Sequence, residues 1–422
     1  MDKKTIVVMF PYPSGSGLHC GHWYNYAIMD SYCRYQRFIG YDVFQPFGYD
    51  AFGLPAENYA KKIGRDPKEV TYENIEKFKA QMGGMNTMYE TMLVTCDESY
   101  QKLTQDLFLR LLNRGLAYKA YGEQDYCSSC ETILAREQAR DGKCDRCDTK
   151  TTKKSLLQWY FKITDYKDRL IRNLDKINYP KSTINAQRAW LENLHDWCVS
   201  RQRKWGCPIP IEGETDTLDT FVDSSFYFIT YQQMKGMKPN PIDLYVGGSE
   251  HACMHLIYAR FITMFLYDEG IIDFEEPFRK VIHQGMILKD GQKMSKSKGN
   301  VVNLDGYDSD EIRFYLMFIG HYFDGGSWSD QNINGIRRFI SKMMEWMGRS
   351  GEETIDIEKF KKQIFDYTEN FKFNKVVSSF MILLNENKNK NLTEECKSEI
   401  IDLLSIYMPN FRSKIMRRLN EK

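Results

Sequence analysis

Two histidines three residues apart, His19 and His22 of the stretch His-Cys-Gly-His, follow a Pro/Ser/Gly-rich loop and open a run of helix formers. At a helix start the free backbone N–H groups and the positive end of the macrodipole already favour a phosphate, and two imidazoles would add donors. Gly21 between them would let a ligand approach the backbone closely. Taken alone, the pair also fits a metal site or solvated cap residues. Far along the chain, Lys293, Lys296 and Lys298 are interleaved with Ser295, Ser297 and Gly299, a composition that suits a flap closing over a polyphosphate. A lone pair of this kind, or a lone lysine-rich loop, is more often a solvated surface. Their occurrence together, on two halves of one expected sheet, points to a nucleotide.

A third group is chemically distinct. Cys127 and Cys130, then Cys144 and Cys147, form two C-x2-C knuckles with thirteen residues between them. Each such turn can deliver two thiolates from one tight loop, and the doubled motif reads as a zinc site. Four thiolates leave no open position for chemistry, so the expected role is one structural Zn2+. The other seven of the eleven cysteines are scattered singly and read as free thiols of a reducing compartment.

These groups need elements to hold them. An apolar strand is expected at residues 6–10, a helix at 18–38, a second strand at 41–46 and a loop at 47–55. Helical periodicity runs over 71–116 and the zinc module occupies about 122–152. The α/β pattern then returns: a short strand at 243–246, the Gly247-Gly248 turn, a helix at 251–266, a strand at 279–288 and the basic loop at 289–300. From about residue 332 only amphipathic, lysine-rich helices are expected. Two α/β halves separated by an insertion predict one nucleotide-binding sheet that is interrupted in sequence.

Bulk composition removes some classes. At 422 residues the chain is too long for a single core. Lys plus Arg number 58 against 57 Asp plus Glu, so no net field points to a nucleic acid or a membrane, and any polyanion must be met locally. No apolar run approaches the length needed to cross a bilayer, and the apolar core of the N-terminal segment is too short for a signal peptide. A cytoplasmic, membrane-free protein is expected.

Beyond these derivations the chain resembles class I aminoacyl-tRNA synthetases. His-Cys-Gly-His matches their first signature, and Lys-Met-Ser-Lys-Ser (293–297) their second. MFPYPSGSGLHCGH, GYDAFGLPAENYA, TFVDSSFYF, YVGGSEHACMHLIYARF and HQGMILKDGQKMSKSKGN together look like a leucyl-tRNA synthetase. The resemblance implies a Rossmann-type catalytic core (1–120 and 216–330), a zinc module at 121–153, a connective region at 154–215 and a C-terminal helical bundle at 331–422. It implies activation of leucine by ATP with Mg2+ to leucyl-adenylate, then transfer to tRNA-Leu. His19, His22, Lys293 and Lys296 would act on the triphosphate. Gly21, Gly247, Gly248, Glu250, Met286, Ile287 and Ser295 would hold ATP. Met9, Phe10, Tyr12, Asp50 and His251 would surround leucine, with Asp50 against its ammonium group.

Three departures bear on the acceptor. Only residues 191–196 stand where the family inserts a large editing domain, the helical tail is short, and the Asp-Trp-Ser-Arg-type motif is not found at residues 88–97. Without editing, leucine must be told from its neighbours by pocket contacts worth about 1 to 3 kcal/mol per methylene. Weakened tRNA-Leu charging is therefore expected. The rival expectation is a paralogue handing leucine, or a related amino acid, to a carrier protein, peptide or amine. An inactive binding or regulatory homologue is a further alternative, against which the intact signatures argue.

Overall fold

The apolar N-terminal run forms the strand Lys3–Val8, whose Ile6, Val7 and Val8 are almost fully enclosed. In the computed structural model, which describes residues 2–13, 17–134, 138–144, 147–294, 300–302, 304 and 306–420, this strand is central to a four-stranded parallel sheet. Asp42–Phe44 lies on one side; Leu244–Val246 and then Val281–Ile282 lie on the other. Ile6 pairs with Leu244. The two halves of the sequence thus meet in one sheet, as expected, and strands covered on both faces account for the short, wholly apolar runs.

The helix Cys20–Phe38 follows the first strand and is buried along most of its length. Five local expectations change. The loop expected at 47–55 begins inside the strand Pro46–Tyr49 and ends in the helix Leu54–Ile63. The first strand ends at Val8, so Met9 and Phe10 leave the sheet and turn toward a cleft. The periodic stretch 71–116 is not one helical run: Pro67–Gly84 and Glu98–Asn113 flank a strand, Glu90–Val94, that pairs with Pro46–Tyr49. Two glycines end the first helix, and a partner strand captures Met92, Leu93 and Val94, whose apolar spacing reads equally well as helix. The helix expected from residue 251 starts at His255, after a 3-10 turn over Ser249–His251. The strand expected at 279–288 is two strands in two sheets. Val281–Ile282 belongs to the main sheet, while Met286–Lys289 pairs with Gly325–Trp328 and with Gln292–Lys293.

The insertion is built on a long antiparallel ribbon, Ala117–Cys127 against Thr152–Phe161, with the cysteines at its far end. Among the described residues five helices follow, from Asp330–Met347 to Phe411–Asn420. Two of them, Ile357–Glu369 and Glu394–Tyr407, dock on Cys20–Phe38, and the helix Ser309–Phe318 packs between Cys20–Phe38 and the tail helices Asp330–Met347 and Phe373–Asn387. The fully enclosed Arg313 donates to Asp30 Oδ2 (2.7 Å) and Ser31 Oγ (2.8 Å) of that helix, to the Met85 carbonyl (3.1 Å), and to the Tyr407 carbonyl of the tail (3.3 Å). Among the described residues no helix is long and apolar enough to cross a membrane.

Candidate active site

The sheet's carboxyl ends open into a cleft of about 960 Å3, where open α/β sheets place their ligands. The loop entering the first helix is pinned from outside. Gln81 accepts from the Leu18 N–H (2.7 Å) and packs so closely on Gly17 (φ +87°) that a Cβ there would lie 2.7 Å from its amide oxygen. His19 is the helix N-cap. Its Nδ1 accepts from the Gly21 N–H (3.1 Å), and His22 Nδ1 accepts from the His19 N–H (3.1 Å). Both Nδ1 atoms being acceptors, each neutral ring carries its proton on Nε2. The rings stand 3.9 Å apart with Gly21 between them on the cleft wall. The sequence spacing therefore makes a reciprocal capping box that fixes two imidazoles as donors at a helix N-terminus.

Opposite them, Gly247 and Gly248 cover the end of the neighbouring strand. A Cβ on Gly247 would meet Met9 Sδ at 2.0 Å, and one on Gly248 would meet Glu250 Oε2 at 2.2 Å. Only glycine at both positions lets Met9 enter the cleft and Glu250 fold back over the backbone. His283, half-buried and lowered below the usual imidazole range by that burial, bridges this loop to the helix Lys181–Glu192: Nδ1 meets the Gly247 carbonyl (2.8 Å) and Nε2 the Thr183 hydroxyl (2.7 Å). Met286 and Ile287 open the far wall. Their strand returns through Asp290 (φ +54°) and Gly291 (φ +74°) into Gln292–Lys293, the two-residue turn that Asp-Gly favours. The backbone of Lys293 thus leaves the floor of the cleft. Ser295 and Lys296 lie outside the described residues.

Beneath the cleft a smaller cavity of about 30 Å3 is lined by Met9, Phe10, Tyr12, Asp50 and His251, so the expected amino-acid residues converge. Phe10 stacks on Tyr227 with centroids 4.0 Å apart. Asp50 is enclosed and accepts from the Thr220 hydroxyl (2.8 Å). Among the described residues no lysine or arginine forms an ion pair with it, and burial pushes its carboxyl up from 3.8 to about 8. A carboxyl enclosed in this way beside a cavity could pair with a cation that enters it. The same cavity exposes residues that the sequence reading named only inside longer motifs: Ser224, Phe221 and a chain from Tyr227 through Tyr245 (2.6 Å) to His255 Nε2 (2.5 Å). Burial, reinforced by His251, lowers His255 to about 3, so this wall is uncharged. Their signal was present in TFVDSSFYF and YVGGSEHACMH, but which side chain faces the cavity depends on the crossing of two distant elements.

The four knuckle cysteines do converge, with their sulfurs all within 4.8 Å of one another. Sγ separations of 3.4 Å (127–147), 3.5 Å (130–147) and 4.0 Å (130–144) bracket the roughly 3.8 Å edge of a tetrahedron with ~2.3 Å metal–sulfur bonds. The donor set fits zinc.

With this geometry in place, the comparisons agree on a family. The model of class I tRNA synthetases (M) matches residues 4–339. A leucine--tRNA ligase of Clostridium botulinum is 31% identical over 84% of this chain and 75% of its own length. One of Clostridium perfringens is 29% identical over 97% and 85%. These alignments run over 608 and 695 residues, more than the 422 present here, so the relatives carry internal segments that this chain lacks. Among solved structures, the agnB2 LeuRS of Agrobacterium radiobacter K84, in a ternary complex with tRNA and LeuAMS, superposes with a TM-score of 0.88 at 24% identity, covering 98% of this chain and 84% of that one.

Proposed function

Because the chain belongs to the class I tRNA synthetases and is a ligase of the leucyl-tRNA synthetase type, we propose that it activates leucine with ATP and passes the leucyl group to an acceptor. The observation that carries the choice of amino acid is Asp50. A buried carboxyl that no lysine or arginine pairs with among the described residues, set in a cavity walled by Met9, Phe10 and Tyr12, fits a substrate with one ammonium group and an apolar side chain. The substrate carboxylate attacks the α-phosphorus of ATP, the bond to the β-phosphate oxygen breaks, and pyrophosphate leaves with leucyl-adenylate remaining. His19 and His22 donate from Nε2 to the phosphate oxygens as charge builds on them. Lys293 and Lys296 of the basic loop neutralise the leaving pyrophosphate, with Ser295 beside them. Gly21 admits the phosphate to the backbone, Gly247, Gly248 and Glu250 face the ribose, and Met286 and Ile287 hold the adenine through main-chain groups. Catalysis on this reading is positioning and charge stabilisation with no covalent enzyme intermediate. Mg2+ entering with ATP would share the charge that builds on the phosphates.

Zinc held by Cys127, Cys130, Cys144 and Cys147 would order the tip of the ribbon and take no part in the chemistry. The helix Lys181–Glu192 is followed after four residues by the strand Trp197–Cys198, and Asp196 in that link is tied to the Tyr118 hydroxyl (2.7 Å) and to Thr164. This closed connection supports a chain without an editing domain at this point, and with it no proofreading in cis. The internal segments missing relative to its relatives favour weakened charging of tRNA-Leu, with a carrier protein, peptide or amine as the second reading for the acceptor.

Leucine-dependent exchange of labelled pyrophosphate into ATP tests the first half; no exchange with any branched amino acid refutes it. Total tRNA with labelled leucine, charged over a range of salt, tests the second. Binding through phosphates weakens steeply as salt rises. Adenylate formation without tRNA charging refutes the ligase reading, and efficient charging refutes the non-tRNA acceptor.

A further inference from the structure

Two large apolar side chains stand open at the nucleotide end of the cleft: Met286, 47% exposed, and Phe323, 41% exposed. Most of the molecule's large apolar side chains are enclosed, and an open ring on a cleft wall invites the question of what covers it. Phe323 belongs to a tight turn over residues 321–324, closed by the Asp324 and Gly325 N–H groups donating to the His321 carbonyl (3.0 and 2.9 Å). That turn is clamped to the floor of the cleft. The Gly285 N–H donates to the Tyr322 carbonyl (2.8 Å), as does the Tyr24 hydroxyl from the first helix (3.0 Å). The backbones meet with no side chain between them: a Cβ on Gly285 would fall 2.0 Å from the Gly325 nitrogen, and one on Gly325 (φ +78°) 2.1 Å from the Met286 carbonyl oxygen. The Phe323 ring is itself braced by His321 (5.3 Å between centroids, T-shaped), Tyr322 (5.8 Å) and Phe371 (5.6 Å). A braced ring on a clamped turn loses little conformational freedom when a flat ligand covers it, which is what a stacking wall requires.

We propose that Phe323 is a stacking wall for a purine base at the nucleotide end of the cleft, a role resting on the nucleotide-activation reading given above. The Tyr322–Gly285 hydrogen bond puts Phe323 and Met286 each one residue from the same clamp, so the ring and the strand expected to hold the base are fixed relative to each other. Base–aromatic stacking is sequence-tolerant and is typically worth a roughly five- to hundredfold change in affinity. The base could come from ATP or from the 3′ end of an incoming acceptor, and the two sources separate experimentally.

The full chain and its F323A, F323L and F323W variants would be compared, with circular dichroism establishing that each is folded. In pyrophosphate exchange, F323A and F323L are expected to raise the KM for ATP about five- to fiftyfold and leave that for leucine unchanged. F323W would restore it, and Leu would fail because apolar volume without a π face does not stack. Unchanged exchange, with weakened transfer of preformed adenylate to tRNA that F323W restores, assigns the wall to the acceptor's terminal base. Unchanged KM for ATP together with unchanged transfer overturns the proposal. If the wild-type chain itself shows no exchange, the activation reading fails, and calorimetric ATP binding to the same four proteins still decides Phe323: equal affinities overturn it.

Discussion

Replacing Asp50 by Asn separates the stability of this protein from its proposed function, and both signs follow from one enclosed carboxyl. Burial raises Asp50 from 3.8 to about 8, so the folded state binds its proton more tightly than the unfolded state does. Stability from this group is fully present below pH 3.8 and is lost as pH rises through 8. Four units at ~1.4 kcal/mol each put the cost above pH 8 on the order of several kcal/mol. Asn has the same shape, can accept from the Thr220 hydroxyl and never ionises. Asp50→Asn should therefore match the wild type near pH 4 and exceed it at pH 9, by about 2 to 5 kcal/mol, read as a higher Tm in calorimetry. Leucine reverses the order. Its ammonium group must ionise Asp50 to pair with it, so binding releases a proton below pH 8, and affinity weakens up to about tenfold for each unit of acidification. The variant, with no charge to offer, should raise the KM for leucine about a hundredfold or more, from a lost pair of roughly 3 kcal/mol or above, with the KM for ATP little changed. Calorimetric titration in buffers of different ionisation enthalpy counts the released proton. A variant no more stable than wild type at pH 9, or one with unchanged KM for leucine, would refute the reasoning.

His19→Asn should keep the helix cap, since Asn is a good N-cap, while lowering the exchange rate about a hundredfold or more through loss of a phosphate donor; His22→Ala should lose similarly in kcat and also cost up to about 1 kcal/mol in urea denaturation. Arg313→Met leaves Asp30 enclosed with Arg34 as its remaining ion-pair partner; burial alone would raise Asp30, but Arg313 and Arg34 outweigh it and hold it low. Denaturation should show a loss of about 3 kcal/mol or more, reduced when Asp30→Asn is added, because the second change removes the stranded charge. Chelation should strip about one zinc per chain and raise amide exchange at the ribbon tip near Cys127 and Cys144, with pyrophosphate exchange retained; loss of that activity along with the metal would place the zinc module in the active site.

Some of this was settled by the order of residues alone. His-x-x-His before a helix and C-x2-C twice at short range are local devices, whose three-residue spacing brings the two side chains of each pair together. The Asp290-Gly291 turn, read only as part of the basic loop, emerged from the pairing of Met286–Lys289 with Gln292–Lys293. The parallel strands were legible because enclosure on both faces demands continuous apolar runs. Glu90–Val94 was not, since a five-residue segment with only Met92, Leu93 and Val94 apolar carries no period of its own and becomes a strand only by pairing with Pro46–Tyr49. The division of residues 279–288 between two sheets was likewise invisible, because Gly325 approaches the chain from forty residues away. Tertiary structure alone decided that Asp50, brought under the cleft from its own loop, has no lysine or arginine paired with it among the described residues, that Tyr227, Tyr245 and His255 form the uncharged wall facing it, and that Arg313 of Ser309–Phe318 ties the histidine-bearing helix to the Tyr407 carbonyl of the tail. The reason is the same in each case. Sequence specifies which groups are apolar, ionisable or conformationally free at a given point, but enclosure, the absence of a counter-charge and the facing of two surfaces are properties of pairs of segments distant along the chain, and they exist only once those segments have packed.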